Sequence, residues 1–375
     1  MIWLFWSAVA LVGYTYLGYP ALLWLCSRLR PRPVRRGRFT ASISIVMVVR
    51  NEAAVLQRKL ANLKQLSYPA ELTEIIVVSD GSSDDTDCLL SEFGQLPRVR
   101  VILNPLCRGK AAGLNDALHA ACGEVVVFVD ARQAIETDAV RLLLENLADP
   151  TVGCVSGELM LGEGRGPEVA ANMGLYWKIE KYIREMESLS GSVIGATGAL
   201  YAVRRSLIAN LPYETILDDV YIPMHALQMG GRVVVDPRAR AWDVVSQGVE
   251  REFARKVRTL SGNYQLLRLA PWLLTSANPV LFRFVSHKLM RLLVPFALGA
   301  LFVSCLLMSG AIYRLALALQ FVFYGLSAWA IARLRRGHVS RLAATGGTFV
   351  LLNAAATLAF ANFITGRRIV WARKA

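Results

Sequence analysis

Three short runs decide the fold: ISIVMVV at Ile43–Val49, EIIVVS at 74–79 and EVVVFV at 124–129. Each is apolar and rich in β-branched residues, as strands buried on both faces of a parallel sheet are. Between them lie helical stretches at 53–66, 84–93 and 110–121, and a further strand at 99–103. Strands alternating with helices predict a doubly wound parallel α/β sheet. Ligands of such sheets bind beyond the carboxyl ends of the strands. The residues just past those ends are Asn51 and Glu52, then Asp80, then Asp130. Any one of them could simply cap the next helix. Acids at three neighbouring strand ends point instead to a site.

Outward from this core the chain becomes apolar. Residues 1–26 contain no charge, enough length for a helix to cross ~30 Å of hydrocarbon. No basic segment precedes the run and no small-residue cleavage site follows it, so a retained anchor over residues 1–27 is expected rather than a cleaved signal. Six arginines between Arg28 and Arg38, with Pro31 and Pro33, make residues 28–41 a stiff basic linker. Toward the C-terminus, three apolar runs at 289–308, 312–332 and 342–363 read as membrane spans. The resulting organisation is a central α/β domain over 42–246, interfacial amphipathic helices over 247–283, a membrane region of about three spans over 284–366 and a basic tail over 367–375. The arginine-rich linker is expected to place the central domain on the cytosolic side of the cell membrane. The C-terminal side stays open: counting spans puts it outside, whereas Arg367, Arg368, Arg373 and Lys374 favour the cytosol.

Charge distribution excludes nucleic acid as a partner. The net charge is +14, but all 28 acidic residues and only 19 of the 42 basic ones lie between Glu52 and Glu252. The central domain is therefore acidic and would repel a phosphate backbone, while basic flanks suit membrane lipid. The six cysteines form no CxxC pair and four histidines are scattered, so neither zinc nor a disulfide framework is indicated.

Several residues can carry chemistry. Asp80, in VSDGSSDDT (78–86), can hold a ribose or base, or form an Asx turn. Asp130, in VFVDARQ (127–133), can hold a divalent cation, Mg2+ or Mn2+, against a diphosphate, or cap a helix. Asp218 and Asp219 are adjacent carboxylates in a loop before a helix. Such crowding raises a pKa and suits a general base, though it also suits a helix start. Arg255, Lys256 and Arg258 form a cationic cluster suited to a diphosphate or to anionic lipid. Tyr176 and Trp177 can stack a sugar or pack in a core.

Taken together, VRNE (49–52), SDGSSDDT (79–86), RGKAAGLNDAL (108–118), FVDAR (128–132), GATGALYAVRR (195–205) and LDDV (217–220) resemble the motifs of membrane-integrated family 2 glycosyltransferases, such as bacterial cellulose, hyaluronan and poly-N-acetylglucosamine synthases. The resemblance spans about 42–265. It implies the nucleotide-sugar-binding GT-A fold and inverting transfer from a nucleotide sugar, UDP-linked by expectation, to a glycan or lipid-linked acceptor in polysaccharide biosynthesis. It also implies roles: Asp80 on the nucleoside with Glu52 close by, Lys110 on the diphosphate, Asp130 as metal ligand and Asp219 as base. Arg258 matches the arginine of the family's QxxRW motif. Two departures stand out. Asp130-Ala131-Arg132 replaces the second acid of DxD with a cation, which could itself neutralise phosphate. Thr259 stands where the motif's aromatic would be, which leaves processive addition open. The rival readings are single addition to a lipid phosphate and a catalytically silent subunit of a synthase complex.

Overall fold

The structure is a computed structural model of the chain and describes residues 1–162, 175–243, 249–334 and 341–367. In chain order these form α1 (Ile2–Leu29), β1 (Ile43–Val49), α2 (Ala53–Lys64), β2 (Thr73–Asp80), α3 (Thr86–Phe93), β3 (Val99–Asn104), α4 (Lys110–Ala120), β4 (Val125–Val129), β5 (Ala134–Ile135), α5 (Ala139–Asn146) and β6 (Val152–Leu161). There follow α6 (Leu175–Leu189), β7 (Leu200–Arg204), α7 (Asp218–Gln228), β8 (Arg232–Asp243), α8 (Val249–Leu269), α9 (Leu281–Leu307), α10 (Ala311–Leu334) and α11 (Arg341–Ile364). The expected boundary at 246/247, the side chain of Tyr176 and the basic tail from 368 onward fall outside the described residues.

The eight strands make one sheet in the order β3-β2-β1-β4-β7-β6-β8-β5. Strands β3, β2, β1 and β4 run parallel, with Val49 opposite Ser79 and Ile43 opposite Val125. Their carboxyl ends therefore share one edge, where Glu52, Asp80 and Asp130 emerge. The parallel pairing expected of these four strands is observed, whereas β7, not expected from the sequence, runs antiparallel to both β4 and β6. The reversal matters for the site. Leu200 lies opposite Val129, so the turn entering β7 reaches the edge where β4 delivers Asp130.

Alternation along β1 feeds two cores. Ile43, Ile45, Met47 and Val49 pack with α2, α3 and α5, whereas Val46 and Val48 pack with α4 and α7. Gly113 lets α4 approach closely: a Cβ there would lie 2.7 Å from Val48 Cγ1. Among the described residues, four helices, beginning with Ile2–Leu29 and ending with Ala343–Ile364, are long and apolar enough to cross a membrane. The amphipathic α8 is not merely laid on a surface. Leu266 joins the core that holds Leu217 and Val220, while Tyr264 packs on Phe360 and Phe363 of α11.

Candidate active site

The nucleotide-side wall starts with a glycine. Gly81 has φ of 65°, and a Cβ there would come 2.5 Å from the backbone nitrogen of Cys107. The tight turn lets the loop before α4 fold over Asp80. The Asp80 carboxylate is fully buried and accepts hydrogen bonds from the backbone N–H of Arg108 and of Gly109, both 2.8 Å, and from the Cys107 thiol at 3.2 Å. Asp80 thus fixes the loop that aims α4 and its first residue, Lys110. Beside it, Asn51 adopts φ of 53° and accepts from the Ser83 N–H at 2.7 Å, tying the end of β1 to the turn after β2.

Lys110 is the electrostatic centre. Its ammonium lies 3.0 Å from Asp130 and 3.2 Å from Asp218. Burial alone would push this lysine down, but Asp130 and Asp218 outweigh it and hold the ammonium well above the usual lysine range. The paired acids expected in a loop instead occupy the first turn of α7. There the positive end of the helix favours carboxylates. Burial, and then the charge of Asp218, push Asp219 up to about 6 against the pull of Lys110 and Lys288. A carboxylate in that range can take a proton near neutral pH.

Gly198, in the turn before β7, brings the two acids together. A Cβ there would lie 3.4 Å from Asp219 Oδ2 and 3.5 Å from Asp130 Oδ2, so both carboxylates line the space above this glycine. The backbone N–H of Ala196 donates to the Asp219 carbonyl at 2.7 Å and fixes the turn to α7. Tyr201 stacks on Phe128 at 4.5 Å with a buried hydroxyl that has no partner among the described residues. Neither Gly198 nor Tyr201 was singled out by sequence, although both lie within the GATGALYAVRR motif. Their proximity to Asp130 needed the antiparallel register of β7.

Arg132 does not join this cluster. Its guanidinium forms a two-armed pair with Glu52 at 2.9 and 3.1 Å. Arg255 and Lys256 both pair with Glu252 on their own helix, at 2.7 and 3.6 Å, and Arg258 is half-buried one turn further on. Among the described residues no three metal-ligating side chains gather. Asp130 alone, with one oxygen on Lys110 and the other above Gly198, fits a cation that arrives with phosphate oxygens of its own, as Mg2+ commonly does.

Comparison with known proteins supports the fold. Residues 44–211 match the family model for glycosyl transferase family 2. The chain is 26% identical over 241 residues to a poly-β-1,6-N-acetyl-D-glucosamine synthase of Staphylococcus epidermidis, covering 61% of this chain and 56% of the relative. The Staphylococcus aureus (strain COL) protein of the same name is 26% identical over 236 residues, 60% of this chain and 55% of that one. The chain thus spans little more than half the length of these relatives. A solved mannosyltransferase from Pyrobaculum calidifontis, in complex with GDP-Man and Mn2+, shares the fold with a TM-score of 0.72 at 21% identity, over 97% of this chain and all of that one. Sheet order and matched segment point the same way: residues 44–211 match the glycosyl transferase family 2 model on a GT-A-like α/β fold, in a chain similar to poly-β-1,6-N-acetyl-D-glucosamine synthases.

Proposed function

We propose that the chain is a membrane-bound inverting glycosyltransferase of polysaccharide biosynthesis. It takes a sugar from a nucleotide donor, UDP-linked by expectation, and its catalytic domain faces the cytosol. The carrying observation is the convergence of Asp219, Asp130 and Lys110 around Gly198. Asp219 accepts the proton of an acceptor hydroxyl as its oxygen attacks the anomeric carbon. The bond from that carbon to the diphosphate breaks in the same displacement, so the configuration inverts and nucleoside diphosphate leaves. Lys110, at the amino end of α4, neutralises the departing charge. Asp130 is the residue that would hold Mg2+ or Mn2+, and such an ion supplies further charge neutralisation when bound. The GDP-Man and Mn2+ bound by the similar mannosyltransferase, and the polysaccharide-synthase activity named for the relatives, support this reading in kind. A donor-side contact by Glu52 and a diphosphate contact by Arg258 belong to the same proposal, while Asp80, buried beneath the loop before α4, serves the donor by holding that loop.

The test is release of nucleoside diphosphate by the full chain in nanodiscs, from a panel of UDP-, GDP- and TDP-sugars with Mg2+ or Mn2+. At least one donor is expected to release nucleotide, and the Asp219→Asn protein is expected not to. Silence of the wild-type chain across the panel would leave the catalytically inactive subunit as the better reading.

A further inference from the structure

Lys110 serves the site from one face of the sheet, and a second lysine lies on the other face. Lys59 stands in the middle of α2, whose Leu56 and Leu60 pack with Ile43, Ile45 and Met47 on the side away from α4. It is only 2% exposed. Its ammonium donates to the Gln133 carbonyl at 2.8 Å, and among the described residues no carboxylate lies within 4.0 Å of it. Asn62, one turn on, takes both backbone groups of Ile135: it accepts from the N–H and donates to the carbonyl, each at 2.8 Å. Glu52, which caps the amino end of α2, holds Arg132. One helix therefore grips residues 132, 133 and 135, the stretch of chain that leaves Asp130.

The grip alone does not call for a lysine. Asn62 shows that a neutral amide can hold a backbone carbonyl of this segment. An ammonium taken out of water costs more than one bond to a carbonyl returns, and an uncharged side chain in its place would avoid that cost. Burial pushes Lys59 down to about 7, and the charge that pulls against it is Asp130. Asp130, however, directs one oxygen to Lys110 and the other to the space above Gly198. No direct contact therefore cancels the charge of Lys59, and in surroundings that exclude water it acts over several ångströms. Its field adds to that of Lys110 at the amino end of α4, where a helix start already favours an anion. What offsets the cost of burying Lys59 is an anion that arrives at this place, and in the transfer described above that anion is the diphosphate of the donor.

We propose that Lys59 is a positioning residue for the donor diphosphate: it holds the segment that carries Asp130 and sets a positive charge there from the face of the sheet opposite Lys110. The inference rests on the transferase reading above and deepens its donor side. The experiment uses the full chain in nanodiscs with Mn2+. Binding of UDP, GDP and TDP is measured by calorimetry, and the nucleotide bound most tightly is compared with its monophosphate. Wild type should prefer the diphosphate. Lys59→Met removes the charge and the hydrogen bond, whereas Lys59→Gln keeps an N–H donor without the charge. In both variants diphosphate binding should weaken about 10-fold, while monophosphate binding should move by about threefold at most. Retained monophosphate binding also verifies that each variant is folded. Loss of a merely structural residue would weaken both nucleotides alike. A diphosphate preference equal to wild type in Lys59→Met, or an unchanged preference in Lys59→Gln, the milder change, would overturn the role of Lys59 and leave the transferase standing. A wild-type chain that binds none of the three diphosphates would remove the transferase reading, and the role of Lys59 with it.

Discussion

The two halves of the site are built in different ways. The donor half hangs on ends of parallel strands: Glu52 after β1, Asp80 at the end of β2, Asp130 after β4. Each position is set by a local rule, a short apolar run followed by a polar residue. The acceptor half is assembled from parts far apart in sequence. The turn at Gly198 enters by an antiparallel strand, and Asp219 sits on α7. The flanking α6 is tied to both membrane regions: Tyr19 of α1 donates to Glu187 at 2.5 Å, and His287 of α9 bridges Glu187 and Glu180 through its two ring nitrogens at 2.8 and 3.1 Å. The family match, residues 44–211, takes in the donor half and the turn at Gly198 and ends before Asp218.

The sharpest break in this comparison is the base. Asp219→Asn should lower turnover by about 10²–10⁴-fold while donor binding stays within a fewfold of wild type. Wild-type turnover would remove the acceptor half from the chemistry. Lys110→Ala comes next. The variant frees Asp130 and Asp218 from their shared cation and removes a charge-assisted contact of about 1.5–3 kcal/mol to the diphosphate. Donor kcat/KM should fall roughly 10- to 100-fold, read from initial rates at several donor concentrations. A loss confined to acceptor KM would place Lys110 on the wrong side of the division.

How far the sequence went follows the same line. Strands β1 to β4 were legible because buried parallel strands are near-continuous apolar runs, and their bounds hold to within a residue. The acids at their ends followed. The reversal of β7 was not legible, since LYAVR (200–204) holds a single β-branched residue and was not read as a strand, and pairing direction leaves no trace in composition. With it went the meeting of Gly198, Asp130 and Asp219. The exchange of Arg132 for an acid was visible, but its partner Glu52 lies eighty positions away, and only the fold brings them within 2.9 Å. Trp177 was noted as a possible sugar platform, but its unpartnered N–H could only be seen in three dimensions.

A third prediction uses pH. Asp219 is held near 6, with Asp218 the second cause after burial. The base must be ionised to act, so activity should fall as pH drops through about 6 and level off above it. Asp218→Asn removes a like charge, which favours the ionised form of Asp219 and moves the acid limb of kcat/KM to lower pH. At pH 5 the variant should therefore lose a smaller fraction of its own maximum than wild type does. A shift of the limb to higher pH would show that the loss of Lys110's second partner, rather than like-charge repulsion, dominates.

The smallest effect probes how the membrane half reaches the base. Gln265, on α8, accepts from the Ile216 N–H at 2.9 Å and donates to the Glu214 carbonyl at 2.8 Å. It spans the turn in which Glu214 takes φ of 67°, a conformation that costs a side-chain-bearing residue energy unless its surroundings hold it. Two residues after Ile216 the chain enters α7 with Asp218 and Asp219. Gly262, one turn before Gln265, lets α8 sit against this segment, because a Cβ there would lie 2.6 Å from Leu217 Cγ. Gln265 is thus a positioning residue: it touches no reactant but fixes the entry to the helix that carries the base. Each of its two bonds is worth about 1 kcal/mol, so Gln265→Ala should lower kcat about 3- to 10-fold. Donor KM should not move, because Lys110 and Asp130 stand on other elements. Gln265→Glu keeps the acceptor for Ile216 but sets a carboxylate against the Glu214 carbonyl, so it should rescue little. A parallel loss in donor KM and kcat would mean that α8 supports the whole domain rather than the turn before Asp218, and the two halves would then be less separate than their construction implies.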